Sequence, residues 1–331
     1  MQLHRRQALQ VLFATSVVSQ FPASGLFAAP PPKNKYEAEN GKGVRFGEAV
    51  KQKWRVGMTV RAVGGACNGM FATIPVPTNW PEQEVELVNE EVSKQIRAIK
   101  YRLLDNGVQQ MLVSIPSLIA GDTATAMLTF EVFRKPAQAP QDTSILKVPA
   151  KPHSSLSRYL QSSPYIESKH ANIVAQSKEL MATNMDKSDW QKVEAMYDWV
   201  RENVKYKEGK LKGALAALKD KDGDCEELTS LFIALCRASK IPARTVWVPQ
   251  HCYPEFMLDD DEGQGHWIPC QIAGAREFGA LTDPRPVLQK GDNFKVPEKK
   301  EPQRYVAEFI KGKAGGGDPQ VQFFRDLLPG D

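Results

Sequence analysis

A proline-rich segment at residues 135–152 separates two halves of the chain that differ in hydrophobic period. It reads KPAQAPQDTSILKVPAKP and contains four prolines, which is linker composition. Before it, apolar residues alternate as they do in strands; after it, they recur at helical spacing. A chain of 331 residues also exceeds the usual size of one domain. We therefore predict two domains joined by this linker.

The first half predicts an N-terminal β-sandwich at residues 45–134. Three stretches alternate in polarity, with turn signals between them. The pair Asn106-Gly107 tolerates the positive φ angles of a tight hairpin turn. Several short strands with little helical periodicity are typical of a sandwich. The alternating apolar positions are Trp54, Val56, Met58, Val60 and Ala62, then Ile99, Tyr101 and Leu103, then Ala126, Leu128, Phe130 and Val132.

The first 29 residues have the pattern of a signal peptide. A basic start with Arg5 and Arg6 precedes a modest apolar run, and small residues close the segment at Ala28 and Ala29. The run is too short for a membrane span, so we expect cleavage, a periplasmic or extracellular protein, and no stable span afterwards. The arginine pair suggests the twin-arginine route; ordinary secretion and a disordered cytoplasmic tail are the alternatives. Residues 30–44 then form a polar, proline-rich linker.

Charge and cysteine usage exclude some classes of protein. Lys plus Arg number 43 against 39 Asp plus Glu, and the two signs are interspersed, so no basic stripe fits a nucleic acid partner. Five cysteines are too few and too scattered for a disulfide-built scaffold. Their odd number leaves at least one thiol unpaired within the chain. They are Cys67, Cys225, Cys236, Cys252 and Cys270.

The second half, residues 153–290, predicts helices followed by strands, so the fold class is α+β. Residues 166–182 and 186–206 have helical spacing, and Ser188 is the expected cap of the second helix. A further helix runs from Cys225 to Ala238, with an apolar face. Strand-like segments follow at residues 244–248, 251–258, 266–272, 305–310 and 321–325. The last two lie in a C-terminal extension, 291–331, whose strands we expect to add to the core.

Cys225 is the candidate nucleophile. It begins the helix, where the unpaired N–H groups and the helix dipole stabilise a thiolate and lower the thiol pKa. The alternative is the usual role of an unpaired cysteine, a small buried apolar residue. Cys236 fits that alternative better, because it lies on the apolar face of the same helix.

A cysteine nucleophile needs an imidazole base, which in turn needs a group that orients it. His251 and His266 lie on two strands separated by an acidic loop. If these strands pair symmetrically about Asp261, His251 faces Gln271 and Cys252 faces Cys270. Successive residues point to opposite faces of a sheet, so the two pairs lie on opposite sides. This register predicts His251 with Gln271 as its orienting amide.

Other interpretations of this hairpin also follow from residue type. Cys252 and Cys270 could form a cross-strand disulfide, although such bridges are strained. A metal site from these cysteines with His251 and His266 is disfavoured, because neighbouring positions alternate between faces and the spacing fits no zinc motif. We expect no metal and no cofactor. The acidic loop is expected to be a solvated hairpin tip, and His266 a surface or supporting residue.

Three motifs carry a resemblance to a known family. Gly223-Asp224-Cys225-Glu226-Glu227, continuing to Ile241-Pro242-Ala243-Arg244, resembles the nucleophile helix of the transglutaminase-like superfamily. His251-Cys252-Tyr253-Pro254-Glu255 is similar to its His-Ala-Trp-x-Glu strand, and Trp267-Ile268-Pro269-Cys270-Gln271 to its Trp-x-Pro-x-Asp strand. The helix ending in Trp199 to Tyr206 is similar to the preceding helix of the family. The match covers residues 165–275 and implies a papain-related α+β core, with Cys225 and His251 in the catalytic positions.

The chain departs from the family at the third position of the site. Gln271 stands where the family usually has an acid, and Tyr253 where it often has tryptophan. A glutamine carbonyl can still accept a hydrogen bond from the imidazole, and we expect that bond to come from Nδ1–H. The neutral amide gives no electrostatic support to imidazolium, so slower chemistry is expected.

Two hypotheses about function follow from these residues. The first is an acyl-transfer enzyme, in which Cys225 attacks a peptide or glutamine carboxamide carbonyl and passes the acyl group to water or an amine. Its partner is a peptide or protein substrate. The second is a catalytically silent binding or assembly module. The observation behind this hypothesis is Gln271 in place of the acid.

Overall fold

Mostly antiparallel strands and four α-helices make up the computed structural model, which describes residues 41–329. The predicted signal peptide and most of the predicted linker 30–44 lie outside the described residues. The strands are β1 (Arg45–Phe46), β2 (Val50–Arg61), β3 (Cys67–Val76), β4 (Gln83–Val92), β5 (Ala98–Leu103), β6 (Gln109–Leu118), β7 (Thr123–Arg134), β8 (Ala137–Gln138), β9 (Lys205–Tyr206), β10 (Asp222–Gly223), β11 (Ala243–Val248), β12 (His251–Asp259), β13 (Gly265–Gln271), β14 (Glu277–Phe278), β15 (Gln289–Lys290), β16 (Phe309–Ala314) and β17 (Gln320–Leu327). The helices are α1 (Ala171–Thr183), α2 (Asp189–Asn203), α3 (Ala214–Asp220) and α4 (Cys225–Ala238), with 3₁₀ helices at Asp105–Gly107 and Ser154–Leu160.

The described chain divides into two units whose boundaries differ from the predicted ones. One unit contains Val50–Arg134 and residues 306–329; the other contains residues 41–49 and Lys135–Tyr305. The proline-rich segment 135–152 therefore belongs to the second unit. Leu146 is fully buried in that unit's core, and the backbones of Lys147 and Asp259 exchange two hydrogen bonds of 2.8 Å. The composition of a linker was misleading here, because buried backbone pairing holds the segment in place.

The first unit is a β-sandwich, as predicted. Its two antiparallel sheets have the strand orders β17-β2-β7-β4 and β16-β3-β6-β5. The alternating residues of β2 and β7 point into one core, together with apolar residues of β3 and β6. At the predicted hairpin between β5 and β6, Asn106 and Gly107 have φ angles of 69° and 78°. Strand β4 was not predicted, because its outward-facing residues are largely acidic and exposed.

The C-terminal strands extend this sandwich, which corrects the expectation that they add to the second core. Strand β16 pairs with β3, and β17 pairs with β2 along its whole length, from Gln320 opposite Arg61 to Leu327 opposite Trp54. Without them β2 and β3 would each be edge strands with unpaired backbone groups. Residues 291–305 stay with the second unit.

The second unit packs its helices on a five-stranded antiparallel sheet with the order β14-β13-β12-β11-β15. Helix α4 is central: it begins and ends where predicted, and all its residues from Glu227 to Arg237 are buried. Its Phe232 packs edge-on against Phe256 of β12, with ring centres 6.2 Å apart. Burial of one such side chain contributes about 1.5–3 kcal/mol. Ser188 caps α2 in a capping box with Gln191, as the sequence predicts.

Two groups of buried ion pairs stabilise this unit, one at the end of α4 and one between strands of the sheet. Arg237, in the last turn of α4, donates to the carbonyl of Ala243 at the start of β11 and pairs with Asp292 at 2.7 Å. Glu255 of β12 accepts from both Arg244 and Lys290, each at 2.8 Å. Because these charges are almost fully buried, removing one partner would leave the other uncompensated. Together they fix the end of α4 and the neighbouring strands β11 and β12.

Candidate active site

Helix α4 begins at Cys225 because Asp224 caps it. The Asp224 carboxylate accepts from the N–H of Glu226 at 2.8 Å, and Glu227 closes a capping box by accepting from the N–H of Asp224 at 3.1 Å. Cys225 is thus the first helical residue, as predicted. The helix-start amides and the positive end of the dipole surround its thiol.

The thiol of Cys225 is the only one of the five whose pKa is lowered. A hydrogen bond with the Cys252 thiol lowers the pKa most, and the hydrogen bond and positive charge of His251 lower it further, to about 4. Burial and the Asp224 carboxylate oppose the shift. The Cys225 sulfur is therefore a thiolate at neutral pH, which is the form that attacks carbonyls and alkylating agents.

The strands β12 and β13 pair two residues away from the predicted register. Glu255 lies opposite Pro269 and Asp259 opposite Gly265, so the hairpin is centred on Glu262 and not on Asp261. The difference arises in the loop, where Asp260 accepts from the N–H groups of Glu262 and Gln264 at 2.9 Å. A shift of two residues keeps every side chain on its face. The predicted facing pairs are wrong, but the predicted faces are right.

His251 and Gln271 are in contact across this hairpin. Nε2 of His251 lies 2.9 Å from Oε1 of Gln271. Because a carbonyl oxygen only accepts, Nε2–H is the donor. The prediction that Nδ1–H would make this bond is wrong. Nδ1 is instead the ring nitrogen left to hydrogen-bond the Cys225 sulfur. The structure thus brings Cys225, His251 and Gln271 together in that order.

Helix α2 holds Gln271 in place from behind. The hydroxyl of Tyr197 donates to the main-chain carbonyl oxygen of Gln271 at 2.6 Å, and the Arg201 guanidinium donates to the same oxygen at 3.2 Å. Tyr197 is fully buried, and burial raises its pKa to about 12. A neutral phenol therefore anchors the end of β13 across the working pH range, and this fixes the amide that orients His251.

The other thiols of this unit are buried and unreactive by comparison. All five cysteines are free, so Cys252 and Cys270 are not bridged. The Cys270 thiol points to the carbonyl of Pro254 at 3.8 Å. Burial raises the pKa of Cys236, Cys252 and Cys270 above the usual range of a thiol. Cys236 thus has the buried apolar environment predicted for it.

The carboxylate next to the nucleophile is paired with a residue far along the chain. Glu226 forms an ion pair with Arg304, whose guanidinium lies 5.2 Å from the centre of the Trp247 ring. Burial raises the pKa of Glu226 to about 7, although the Arg304 charge opposes the shift. Residues 291–305 therefore end beside the site. Arg304 was not predicted as a site residue, because no motif surrounds it.

The carboxylate of Asp283 partly compensates for the absence of an acid at position 271. Asp283 accepts from Nε of Arg285 at 2.9 Å, and its side chain is only 6% exposed. Burial raises its pKa, but the hydrogen bonds of Arg285 and the charges of Arg285 and His251 outweigh burial, so the pKa is lowered. Asp283 is ionised and close enough for its charge to act on His251. It lies in a loop after β14, where sequence reasoning found no candidate.

His266 lies apart from this site. Its Nε2 contacts Asp260 at 2.9 Å, and both side chains are almost fully buried. Of the two expectations for His266, a surface or a supporting residue, the surface one is wrong, and the prediction of a solvated hairpin tip is wrong for Asp260. Asp261 and Glu262 are exposed and pair with Lys42. Within residues 41–329, no group of three or more His, Cys, Asp and Glu side chains is placed to hold a metal ion.

Comparison with known proteins agrees with this geometry. Residues 175–272 match the family model of the transglutaminase-like superfamily. No curated protein sequence matches the chain. A solved structure of similar fold is that of a "putative cysteine protease" from Cytophaga hutchinsonii, with a TM-score of 0.56 and 18% identity, covering 87% of this chain and 94% of that chain.

The fold of the chain is therefore α+β and of a type that supports cysteine-based enzymes. None of the helices described here combines the length and apolar character needed to cross a bilayer. The matched region contains α2, α4 and the hairpin of β12 and β13, which are the elements that hold Cys225, His251 and Gln271. Residues 175–272 thus form a transglutaminase-like domain.

Proposed function

We propose that the chain is a cysteine acyl-transfer enzyme that acts on peptide or glutamine carboxamide bonds through a thioester on Cys225. One observation carries the proposal: a thiolate at the start of α4 is hydrogen-bonded to His251, which donates in turn to Gln271. Nucleophile, base and orienting group in contact are the arrangement that covalent acyl transfer requires.

The reaction begins with attack of the Cys225 thiolate on the substrate carbonyl. The first N–H groups of a helix have no partner inside it, so the Cys225 amide can stabilise the oxyanion that forms. His251 passes the proton that it takes from the Cys225 thiol on to the departing amine, from Nδ1. The thioester remains on Cys225. Water or a second amine then attacks it, and His251 takes the proton of that nucleophile.

Gln271 and Asp283 share two roles that one hydrogen-bonded carboxylate has in a Ser-His-Asp triad: orientation of the imidazole and negative charge near it. Gln271 fixes the ring plane and the protonated nitrogen of His251, because its oxygen accepts only from Nε2–H. It adds no negative charge. Asp283 supplies a carboxylate whose field acts on His251 without a hydrogen bond to the ring. We expect this arrangement to support catalysis at a lower rate than a directly bonded carboxylate.

An acyl-enzyme trap tests the proposal. The purified full-length chain is incubated with a panel of glutamine-containing peptides and activated acyl esters, with and without a primary amine, and then acid-quenched. Mass spectrometry should find the acyl mass on the peptide that contains Cys225. Cys225→Ala should carry no adduct, and Cys236→Ala should carry the same amount as the wild type. Transfer to the amine indicates transamidation; loss of the adduct in water alone indicates hydrolysis.

The neutral Gln271 favours a second candidate, a catalytically silent binding or assembly module. Under that candidate no acyl adduct forms on Cys225 with any member of the panel, while the protein still binds peptides.

We further propose export, on the basis of the N-terminal signal pattern. Recovery of the shortened chain outside the cytoplasm, lost when Arg5 and Arg6 are replaced by lysine, would support the twin-arginine route.

A further inference from the structure

A second thiol lies against the proposed nucleophile and has no part in acyl transfer. Cys252 follows His251 on β12 and is fully buried. Its Sγ lies 3.6 Å from the carbonyl oxygen of Cys225 and 3.8 Å from Oγ1 of Thr229 on α4. It also hydrogen-bonds the Cys225 sulfur.

The two sulfur atoms differ in protonation. Cys225 is a thiolate, whereas burial and the neighbouring Cys225 charge keep the proton on Cys252. Peroxides react with thiolates and spare protonated thiols. Oxidation of this pair must therefore begin at Cys225, and a sulfenic acid formed there already has a thiol within hydrogen-bonding distance.

We propose that Cys225 and Cys252 form a reversible oxidation site, in which hydrogen peroxide oxidises Cys225 and Cys252 resolves the product into a disulfide that switches the site off. The Cys225 thiolate attacks one peroxide oxygen, the O–O bond breaks, and hydroxide leaves. The Cys252 sulfur then attacks the Cys225 sulfur. The S–O bond breaks, and the Cys252 proton leaves with the hydroxyl as water. A dithiol returns the two electrons and restores both thiols.

The position of Cys252 makes this route faster than further oxidation. Attack by a neighbouring thiol is intramolecular, whereas the next step to sulfinic acid needs a second peroxide molecule. Cys236 and Cys270 are a matched control pair. They lie close enough for the charge of one to affect the other, but burial raises both pKa values, so neither is a thiolate. Proximity alone should not bridge them.

Mass mapping of the oxidised full-length protein tests the inference. One equivalent of hydrogen peroxide is added, remaining thiols are blocked with N-ethylmaleimide in denaturant, and the protein is digested without reductant. The expected product links the Cys225 and Cys252 peptides, with Cys67, Cys236 and Cys270 carrying the label. Dithiothreitol should restore alkylation of Cys225. A sulfinic acid on Cys225 with a labelled Cys252 would overturn the proposal.

Variants at Cys252 give a second measurement. The variants are treated with excess hydrogen peroxide, because a sulfenic acid that no thiol resolves is then oxidised further to sulfinic acid, which dithiothreitol does not reduce. In Cys252→Ala and Cys252→Ser, the fraction of oxidised Cys225 that dithiothreitol recovers should therefore be at least about tenfold lower than in the wild type. Cys270→Ala should recover like the wild type. Equal recovery in the Cys252 variants would contradict the role of Cys252. Because the readout is a mass and not an activity, the result stands whether or not acyl transfer is found.

Discussion

The two ends of helix α4 present the same side chain in opposite chemical states. Cys225, at the first position of the helix, is 3% exposed, and Cys236, in its last turn, is fully buried. The pKa of Cys225 is lowered to about 4, whereas burial raises that of Cys236. Burial disfavours the thiolate form of both residues, so it does not explain the difference between their pKa values.

Partners make the difference between these two thiols. At the N-terminal end, Cys252, His251 and the helix-start amides all stabilise a thiolate. At the C-terminal end, the Arg237 charge lowers the pKa of Cys236, but burial dominates. Arg237 is itself committed to Asp292 and the Ala243 carbonyl. The reactive thiol is thus defined by its neighbours on β12, and changes to them should erase the contrast.

Removal of the imidazole should have the largest effect on the reaction at Cys225. In His251→Ala the Cys225 thiolate loses its hydrogen-bonding and charged partner, and the leaving amine loses its proton donor. We expect the rate of acyl transfer to fall by about 10³–10⁴-fold, with Cys225 alkylated more slowly at pH 6. Steady-state kinetics with the substrate identified by the acyl-enzyme trap measures this.

His170→Asn is the matched control for that variant, because the His170 side chain caps α1 and asparagine is also a good cap. It should keep the wild-type rate. A wild-type rate in His251→Ala would show that His251 is not the base.

Loss of the orienting amide should weaken the site without abolishing it. In Gln271→Ala the His251 ring can rotate, and we expect kcat to fall by about 10–100-fold, because misplaced catalytic groups cost about that much. The Cys225 pKa should change less than in His251→Ala. A wild-type kcat in Gln271→Ala would show that Gln271 does not orient His251 for catalysis.

Burial of the Glu226 carboxylate beside Cys225 should make stability depend on pH. The pKa of Glu226 in the folded state, about 7, exceeds its ordinary value. Folding therefore favours the protonated form, and stability is lost as pH rises from about 4.5 to 7. Relative to Glu226→Gln, the wild-type free energy of unfolding should fall by about 2 kcal/mol between pH 5 and pH 8. Urea unfolding of both proteins measures this; a difference that is constant with pH would contradict it.

The Cys252 thiol contributes most to the lowered pKa of Cys225, although it takes no part in acyl transfer. In Cys252→Ala the Cys225 thiolate loses this hydrogen bond, so its pKa should rise and its alkylation at pH 4 should slow by about tenfold. Alkylation at pH 9 should be unchanged, because the thiolate is then complete in both proteins. Cys270→Ala is the control, since Cys270 contacts Pro254 and not Cys225. An equal loss in both variants would indicate a packing effect.

Local signals in the sequence were sufficient for α4 and for the faces of the hairpin. Gly223 and Asp224 mark the helix start, and the period of two places His251 and Gln271 on one face even though the predicted register was wrong by two residues. The loop hydrogen bonds of Asp260 decide the register, and they depend on burial that a charge run does not reveal.

Long-range pairing was beyond the sequence signals. The strands β16 and β17 have alternating patterns, but only the open edges of β2 and β3 determine where they pair. Arg304 pairs with Glu226, and the charge of Asp283 interacts with that of His251. Neither Arg304 nor Asp283 lies in a motif, so the sequence did not indicate these interactions. The contact of Cys252 with Cys225 was not predicted. The period of two places Cys252 and His251 on opposite faces of β12, and the face that carries Cys252 packs on α4.

The pH profile of alkylation tests the central claim most directly. The full-length protein is treated with limiting iodoacetamide from pH 4 to pH 9, and each cysteine is quantified by mass spectrometry. We predict that Cys225 is modified at a nearly constant rate down to about pH 5 and that the rate falls below it, while Cys236 stays unmodified throughout in the folded protein. A Cys225 rate that rises only above about pH 8, as for an ordinary thiol, would contradict the account.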